Sequence, residues 1–212
     1  MAILFPPEPN KEPSTRLSPL ISELRHRLAG TEPSLLAART GSEFVTPEFH
    51  LFLWGKPVCL TWPGFVAVDS ATRQELHPDQ QTLLLYYYNT ADGTPVTGQW
   101  VSFADLPGGR FYNQAFQGYT GHELLKVFGS HKPAFERAAA RLDGRPYPLG
   151  DTAFVFHALP NLALLVIFWQ GDEDFNPSYQ ILFDSSANHY LPTDACAVLG
   201  SILTHRLIKA GA

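Results

Sequence analysis

A group of carboxylates directly follows the most apolar stretch of the chain. The run Leu162–Trp169 contains only apolar residues, and Gly171 then introduces Asp172, Glu173 and Asp174. Carboxylate oxygens are the ligands that Mg²⁺ and Ca²⁺ prefer, so this acidic turn is a candidate metal site. The predicted ligands, including one from the end of the next strand, are Asp172, Asp174 and Asp184. The alternative is a solvated turn whose aspartates bond to their own backbone, because the spacing matches no calcium-binding loop.

A glycine-rich loop is the second candidate. Pro107, Gly108, Gly109 and Arg110 precede an aromatic stretch that ends at Tyr119. Two glycines let backbone amides approach an anion, and an arginine binds an anion through two parallel hydrogen bonds. The predicted ligand-binding residues are Trp100, Gly108, Gly109, Arg110 and Tyr119. The alternative is a tight turn that needs positive φ, with Arg110 on the surface.

No complete catalytic set is recognisable in the sequence. His122 and Glu123 begin like a zinc-protease helix, but Lys126 stands where the second histidine is required. His157 lies on a predicted strand and is the candidate base of a hydrolase, or else a histidine packed within the sheet. Whether the chain is an enzyme therefore stays open, and no cofactor is identified.

Composition excludes several classes of function. The 212 residues carry a net charge of −5 and no run of basic residues, which argues against nucleic acid and anionic membranes as partners. The two cysteines, Cys59 and Cys196, each have apolar neighbours and predict buried, reduced thiols. Together with the lack of a secretion signal and of a run long enough to span a bilayer, this predicts a soluble, cytoplasmic protein.

The pattern of apolar residues and turns predicts an α+β fold. Strands occur in adjacent groups rather than alternating with helices, and the short links at Gly55-Lys56 and Pro160-Asn161 require antiparallel pairing. We expect one antiparallel sheet of about five to seven strands with helices packed on it. Residues 1–13 contain four prolines and predict an extended arm, which leaves residues 14–212 as a single domain.

Individual elements follow from periodicity and capping signals. Helices are predicted over 17–28, 33–40, 78–90, 120–128, 130–142 and from 192 onward, with a strand as the alternative for residues 83–88. Strands are predicted over 49–54, 58–62, 65–69, 99–103, 151–157, 162–169 and 179–184. Thr120 and Glu123 have the spacing of a capping box.

Spaced motifs across most of the chain resemble one known family. They are Trp100-Val-Ser-Phe103, Leu106-Pro-Gly-Gly-Arg-Phe111, Phe116, Gly118-Tyr119, Gly150-Asp151, Leu159-Pro160, Phe168-Trp169, Gly171-Asp-Glu-Asp-Phe175, Leu182-Phe-Asp184 and Tyr190-Leu-Pro192. Together they resemble the prokaryotic domain-of-unknown-function family 3786. Some members carry a cysteine-rich iron–sulfur module of the type seen in corrinoid proteins, which the resemblance implies as a partner rather than as part of this chain.

Three functional hypotheses follow. The first is an accessory domain that binds a small anionic ligand or a partner protein through a cleft, with a homodimer as an open alternative. The second is a metal-assisted, hydrolase-like enzyme that uses the acidic turn and His157. The third, an interaction module for a corrinoid or iron–sulfur protein, rests on the family resemblance.

Overall fold

The chain forms two compact units. The computed structural model describes residues 13–212, with side chains from Leu17 onward. Unit 1 comprises the described residues up to Pro95 together with Leu159–Asn161 and His189–Ala195, and unit 2 comprises Val96–Ala158, Leu162–Asn188 and Cys196–Ala212. The predicted arm lies outside the described residues except for Pro13, which begins the first helix. The single-domain assignment stays a prediction.

Unit 1 combines helices with a four-stranded antiparallel sheet. The helices are α1 (Pro13–Leu28), α2 (Pro33–Thr40) and α3 (Pro78–Thr90). The strands, in their spatial order, are β1 (Glu43–Val45), β2 (Glu48–Leu53), β3 (Lys56–Thr61) and β4 (Ala67–Asp69). The β2–β3 hairpin closes on Trp54 and Gly55, which both have positive φ (53° and 75°), as a two-residue turn requires. Proline at the first turn of α2 and of α3 sets φ for a helix start.

Aromatic side chains hold the core of unit 1 together. Phe49 of β2 lies edge-on to Tyr88 of α3 and stacks on Phe65. The buried hydroxyl of Tyr87 donates to the carbonyl of Thr40 (2.7 Å) and accepts from a backbone N–H, so its polar end is satisfied. The sheet therefore packs on α3 through large aromatic side chains, and the buried hydroxyl of Tyr87 on this helix is hydrogen-bonded.

Unit 2 is built around a five-stranded antiparallel sheet. In spatial order the strands are β5 (Trp100–Ser102), β9 (Ser178–Asp184), β8 (Leu162–Trp169), β7 (Thr152–Leu159) and β6 (Arg145–Tyr147). The helices are α4 (Asn113–Tyr119), α5 (Gly121–Phe128), α6 (Lys132–Arg141) and, from Cys196 onward, α7 (Thr193–Gly211). β8 is the central strand and is buried along its length except at Trp169, as its unbroken apolar sequence predicts.

Helices of unit 2 cover one face of this sheet through stacked aromatic rings. Phe116 of α4 stacks on Phe103 (4.3 Å between centroids), and both rings contact Phe183 of β9. Helix α5 approaches β9 still more closely. A Cβ at position 121 would lie 2.3 Å from the carbonyl oxygen of Tyr179, so only glycine fits there.

The structure confirms the α+β class and revises its details. The predicted single sheet is instead two sheets of four and five strands, and β1, β6 and α4 were not predicted. The capping box at Thr120 is wrong: this side chain is buried, and its hydroxyl donates to the carbonyl of Phe116 (2.5 Å) rather than to a backbone amide of α5. Cys59 and Cys196 are both buried, as expected, and no disulfide joins them. Within residues 13–212 no helix is long and apolar enough to cross a membrane.

The close contact at Gly121 predicts an asymmetric response of two neighbouring glycines. Gly121→Ala would force α5 away from β9, and we expect it to lower the free energy of unfolding by about 1–3 kcal/mol. Gly118→Ala in α4 meets nothing within 4 Å and should raise it by up to about 1 kcal/mol. Urea unfolding of both variants measures the difference. Equal effects of the two substitutions would contradict the close packing of α5 on β9.

Candidate functional site

A cleft opens in unit 2 between β9 and helices α4 and α5. Its volume is about 390 Å³, which lies within the range of roughly 300–1,000 Å³ typical of small-molecule sites. The lining is rich in hydrogen-bonding side chains without a permanent charge. They are Ser102, Asn113, Gln117, His122, Ser178 and Gln180.

The cleft exists because β5 is short. β5 pairs only with residues 182–184 of β9, so the first half of β9 has no strand on that side. Helix α5 begins at this place, and its first residue, Gly121, lies against the β9 backbone. The end of β5 at Ser102 and the start of α5 are thus two walls of one cavity.

The first turn of α5 is a helix N-terminus that lines the cleft. The first intrahelical hydrogen bond runs from the N–H of Leu124 to the carbonyl of Thr120. The N–H groups of residues 121–123 therefore have no acceptor within α5, and the side chain of the N-cap residue Thr120 does not cap them. Gly121 and His122 of this turn line the cleft. Unsatisfied amides at a helix N-terminus carry partial positive charge and favour an anion.

The glycine-rich loop lies outside this lining. Gly108 adopts the left-handed conformation (φ 75°), and a Cβ at Gly109 would lie 1.9 Å from the carbonyl oxygen of Phe103. Both glycines are thus required by a tight turn, as in the alternative interpretation of the sequence. Arg110 is exposed. Its charge acts on Asp105. The pKa of Asp105 is lowered mainly by hydrogen bonds from Ser102 and to a smaller degree by the charge of Arg110.

Trp100 and Tyr119 lie beside the cleft rather than in its lining. Trp100 is two residues before Ser102 on β5, so the two side chains point to the same face of the sheet. Its ring packs edge-on against Tyr147, and its buried Nε1 has no hydrogen-bond partner among the described residues. Tyr119 packs against Phe116, and burial raises the pKa of its hydroxyl.

The three predicted metal ligands lie at opposite ends of β9. Oδ1 of Asp172 accepts hydrogen bonds from the N–H of Asp174 (2.9 Å) and of Phe175 (2.8 Å), which is the self-bonded turn of the alternative interpretation. Asp184 closes the far end of the strand, six residues after Ser178 and thus about 20 Å away. The structure therefore does not bring Asp184 together with Asp172 and Asp174. His157 lies on β7, and partial desolvation of its ring, with a smaller effect of the Arg145 charge, lowers its pKa.

Asp184 instead organises the segment that leads into β5. Its buried carboxylate accepts five hydrogen bonds, from the N–H and hydroxyl of Thr97, the N–H of Gly98, and the N–H and hydroxyl of Ser186. Burial alone would raise the pKa of this carboxyl group, but the hydrogen bonds from Ser186 and Thr97 outweigh burial and lower it. The ionised form is thus favoured in the folded protein.

The cleft residues were not predicted from the sequence as a set. Asn113 and Gln117 lie on α4, which was not predicted, and His122 was examined only as a zinc ligand. These residues share a position: they are polar and lie near the start of α5, while apolar residues of the same helices, such as Phe116 and Leu124, are buried. That signal becomes visible only once β9 is placed beside α5.

The hydrogen bonds of Asp184 predict a pH-dependent contribution to stability. Asp184→Asn places an N–H₂ group among donors, and we expect a loss of about 2–3 kcal/mol in the free energy of unfolding at pH 7. Because the folded pKa is lowered, this stabilisation is present above the unfolded pKa of about 3.9 and is lost as pH falls through the folded value. The wild type and the variant should therefore converge in acid, as measured by urea unfolding.

Asp174→Asn is the matched control for this prediction. Asp174 is exposed, and the same substitution there should change the free energy of unfolding by less than about 0.5 kcal/mol. If the free energy of unfolding of Asp184→Asn stayed below that of the wild type by a constant amount down to pH 2, the carboxylate would not be the stabilising form.

Comparison with known proteins places most of the chain in one family. No curated protein and no solved structure matches the chain. The model of the domain of unknown function DUF3786 matches residues 32–206. This match takes in both sheets, the cleft and the acidic turn, and it agrees with the resemblance of the spaced motifs. The chain therefore belongs to the DUF3786 family.

Proposed function

We propose that this domain binds a small anionic molecule in the cleft between β9 and α5. The observation that carries the proposal is the uncapped first turn of α5, which lines a cavity of about 390 Å³. The N-terminal amides attract negative charge, and the amide side chains of Asn113, Gln117 and Gln180 provide further donors.

The anion would be recognised by neutral donors rather than by an ion pair. None of the residues that line the cleft is lysine, arginine, aspartate or glutamate. Glu123, the acidic residue of the first turn, forms a salt bridge with Lys126, with Oε1 2.5 Å from Nζ. A carboxylate or phosphate group bound here would accept backbone and amide hydrogen bonds. Arg110, the cation expected from the sequence, is not needed for this arrangement.

The geometry favours binding over catalysis. The metal-assisted alternative requires Asp172, Asp174 and Asp184 to converge, and these carboxylates lie at opposite ends of β9. His122 is the titratable imidazole of the lining, and no acid or nucleophilic thiol stands among the lining residues with it. The corrinoid and iron–sulfur connection remains a prediction from the family resemblance.

A partner protein is the second candidate, and one observation favours it. The side chain of Phe111 is 97% exposed, directly after the glycine-rich loop, and Tyr112 beside it is 45% exposed. Large aromatic side chains are frequent anchors of protein interfaces. The Phe111→Ser variant would then lower self-association or partner capture and leave ligand binding in the cleft unchanged.

Filling the cleft should abolish ligand binding. Gln117 lines the cavity, whereas Gln114 of the same helix is exposed. We expect saturation-transfer NMR with a panel of small carboxylates and phosphates to detect binding to the wild type and to Gln114→Trp, but not to Gln117→Trp. The same substitution on one helix separates blocking of the cavity from a general effect of tryptophan. Binding that survives in Gln117→Trp would place the ligand elsewhere.

A further inference from the structure

We propose that Glu48, His50 and Cys59 form a site for a divalent transition metal of the zinc type, on the open face of the four-stranded sheet in unit 1. Neither the family match nor the cleft in unit 2 assigns a role to these residues. The proposal stands on the register of the β2–β3 hairpin and on the chemistry of the three side chains, and it is independent of the proposed ligand site.

The hairpin places three ligand atoms together. His50 of β2 lies directly opposite Cys59 of β3, and Glu48 is two residues before His50, so all three side chains share one face. The Sγ of Cys59 is 3.4 Å from Nδ1 of His50, and the three ligand atoms lie within 4.8 Å of one another. Tetrahedral zinc bonds of about 2.0–2.3 Å separate ligand atoms by roughly 3.3–3.8 Å. Small side-chain rotations would therefore complete the site.

The residue types select the metal. A thiolate, an imidazole and a carboxylate are the three kinds of protein ligand that zinc uses, whereas Mg²⁺ and Ca²⁺ require oxygen ligands. Cys59 is buried, while His50 and Glu48 are partly exposed, so the thiolate would be the inner ligand and the other two would face the entry side. Three protein ligands leave the fourth position to water or to another molecule, as in catalytic rather than structural zinc sites.

Arg73 holds the carboxylate of this set in place. Its guanidinium donates to both oxygens of Glu48, with Nη1 3.0 Å from Oε2. A carboxylate has about four lone-pair positions, so Glu48 can accept these two hydrogen bonds and still bind a metal. Carboxylates that bind metals are usually hydrogen-bonded by an outer partner, and here Arg73 would fix the orientation of Glu48 before the metal binds.

The alternative is a hydrogen bond between a buried thiol and a histidine that serves packing alone. Such a pair needs no carboxylate beside it and no arginine to orient that carboxylate. The alternative therefore predicts no affinity for metal beyond that of the other thiol of the chain, Cys196 of α7.

Cobalt titration distinguishes the metal site from a thiol–histidine pair that serves packing alone. The full chain, reduced and stripped with a chelator, is titrated with Co²⁺ alone. We expect one equivalent to bind with the near-ultraviolet thiolate-to-cobalt charge-transfer absorption and the visible bands of a four-coordinate ion. Binding of Co²⁺ to the metal-free chain should release the thiol proton, and Zn²⁺ should then displace Co²⁺ without further proton release.

Variants assign the ligands. Cys59→Ser should abolish the charge-transfer absorption, and His50→Gln and Glu48→Gln should each weaken Co²⁺ binding on the order of tenfold or more. Cys196→Ser is the matched control and should leave the spectrum unchanged. Circular dichroism checks that each variant is folded, and if Cys59→Ser unfolds, His50→Gln decides the assignment.

Two results would overturn the proposal. One is a wild-type spectrum without charge-transfer absorption at stoichiometric Co²⁺. The other is an absorption that persists in both Cys59→Ser and His50→Gln, or that is lost in Cys196→Ser.

Discussion

The contact between Gly121 and the carbonyl of Tyr179 is the constraint on which unit 2 depends. Because position 121 has no side chain, α5 can begin directly against the backbone of β9. This contact occurs where β5 has already ended, so a helix N-terminus, rather than another strand, faces the first half of β9. The cleft and the helix N-terminus that lines it both occur because a helix lies where a further strand residue of β5 would otherwise pair with β9.

The two ends of β9 have opposite physical characters. At one end Asp184 is buried and fully hydrogen-bonded, and it fixes the segment that leads into β5. At the other end the strand begins at a hairpin whose acidic turn is satisfied by its own backbone. The chemistry proposed for this unit lies between these ends, where neutral donors line a cavity and no fixed charge competes for an anion. Asp172 and Asp184, two of the predicted metal ligands, accept these hydrogen bonds at opposite ends of the strand that lines the proposed ligand site.

Sequence reasoning succeeded where local signals decide the structure. The apolar stripe of α1, the proline starts of α2 and α3 and the unbroken apolar run of β8 each predicted the element that forms. Prediction from the sequence failed where tertiary contacts determine the local structure. The three-residue strands β1 and β6 are too short to show alternation. Thr120 has the spacing of a cap, but burial turns its hydroxyl to Phe116.

In the hairpin of unit 1, a small error in the predicted position of the turn changes which residues face each other. The predicted strands over 49–54 and 58–62 leave residues 55–57 as the link, which would place His50 opposite Trp62. The observed turn lies on Trp54 and Gly55, and positive φ at a tryptophan is uncommon enough that no sequence rule favours it. With the turn there, His50 faces Cys59 and the two come within hydrogen-bonding distance.

If the first turn of α5 is the anion-binding wall of this domain, an anion should perturb its backbone amides. The most direct measurement is a ¹H–¹⁵N correlation spectrum of the labelled chain during titration with inorganic phosphate, followed at constant ionic strength. Our account predicts that the largest shifts occur at the backbone amides of Gly121, His122 and Glu123 and at the side-chain amide of Gln117. Shifts centred on Gly108, Gly109 and Arg110, or no saturable shift at all, would contradict it.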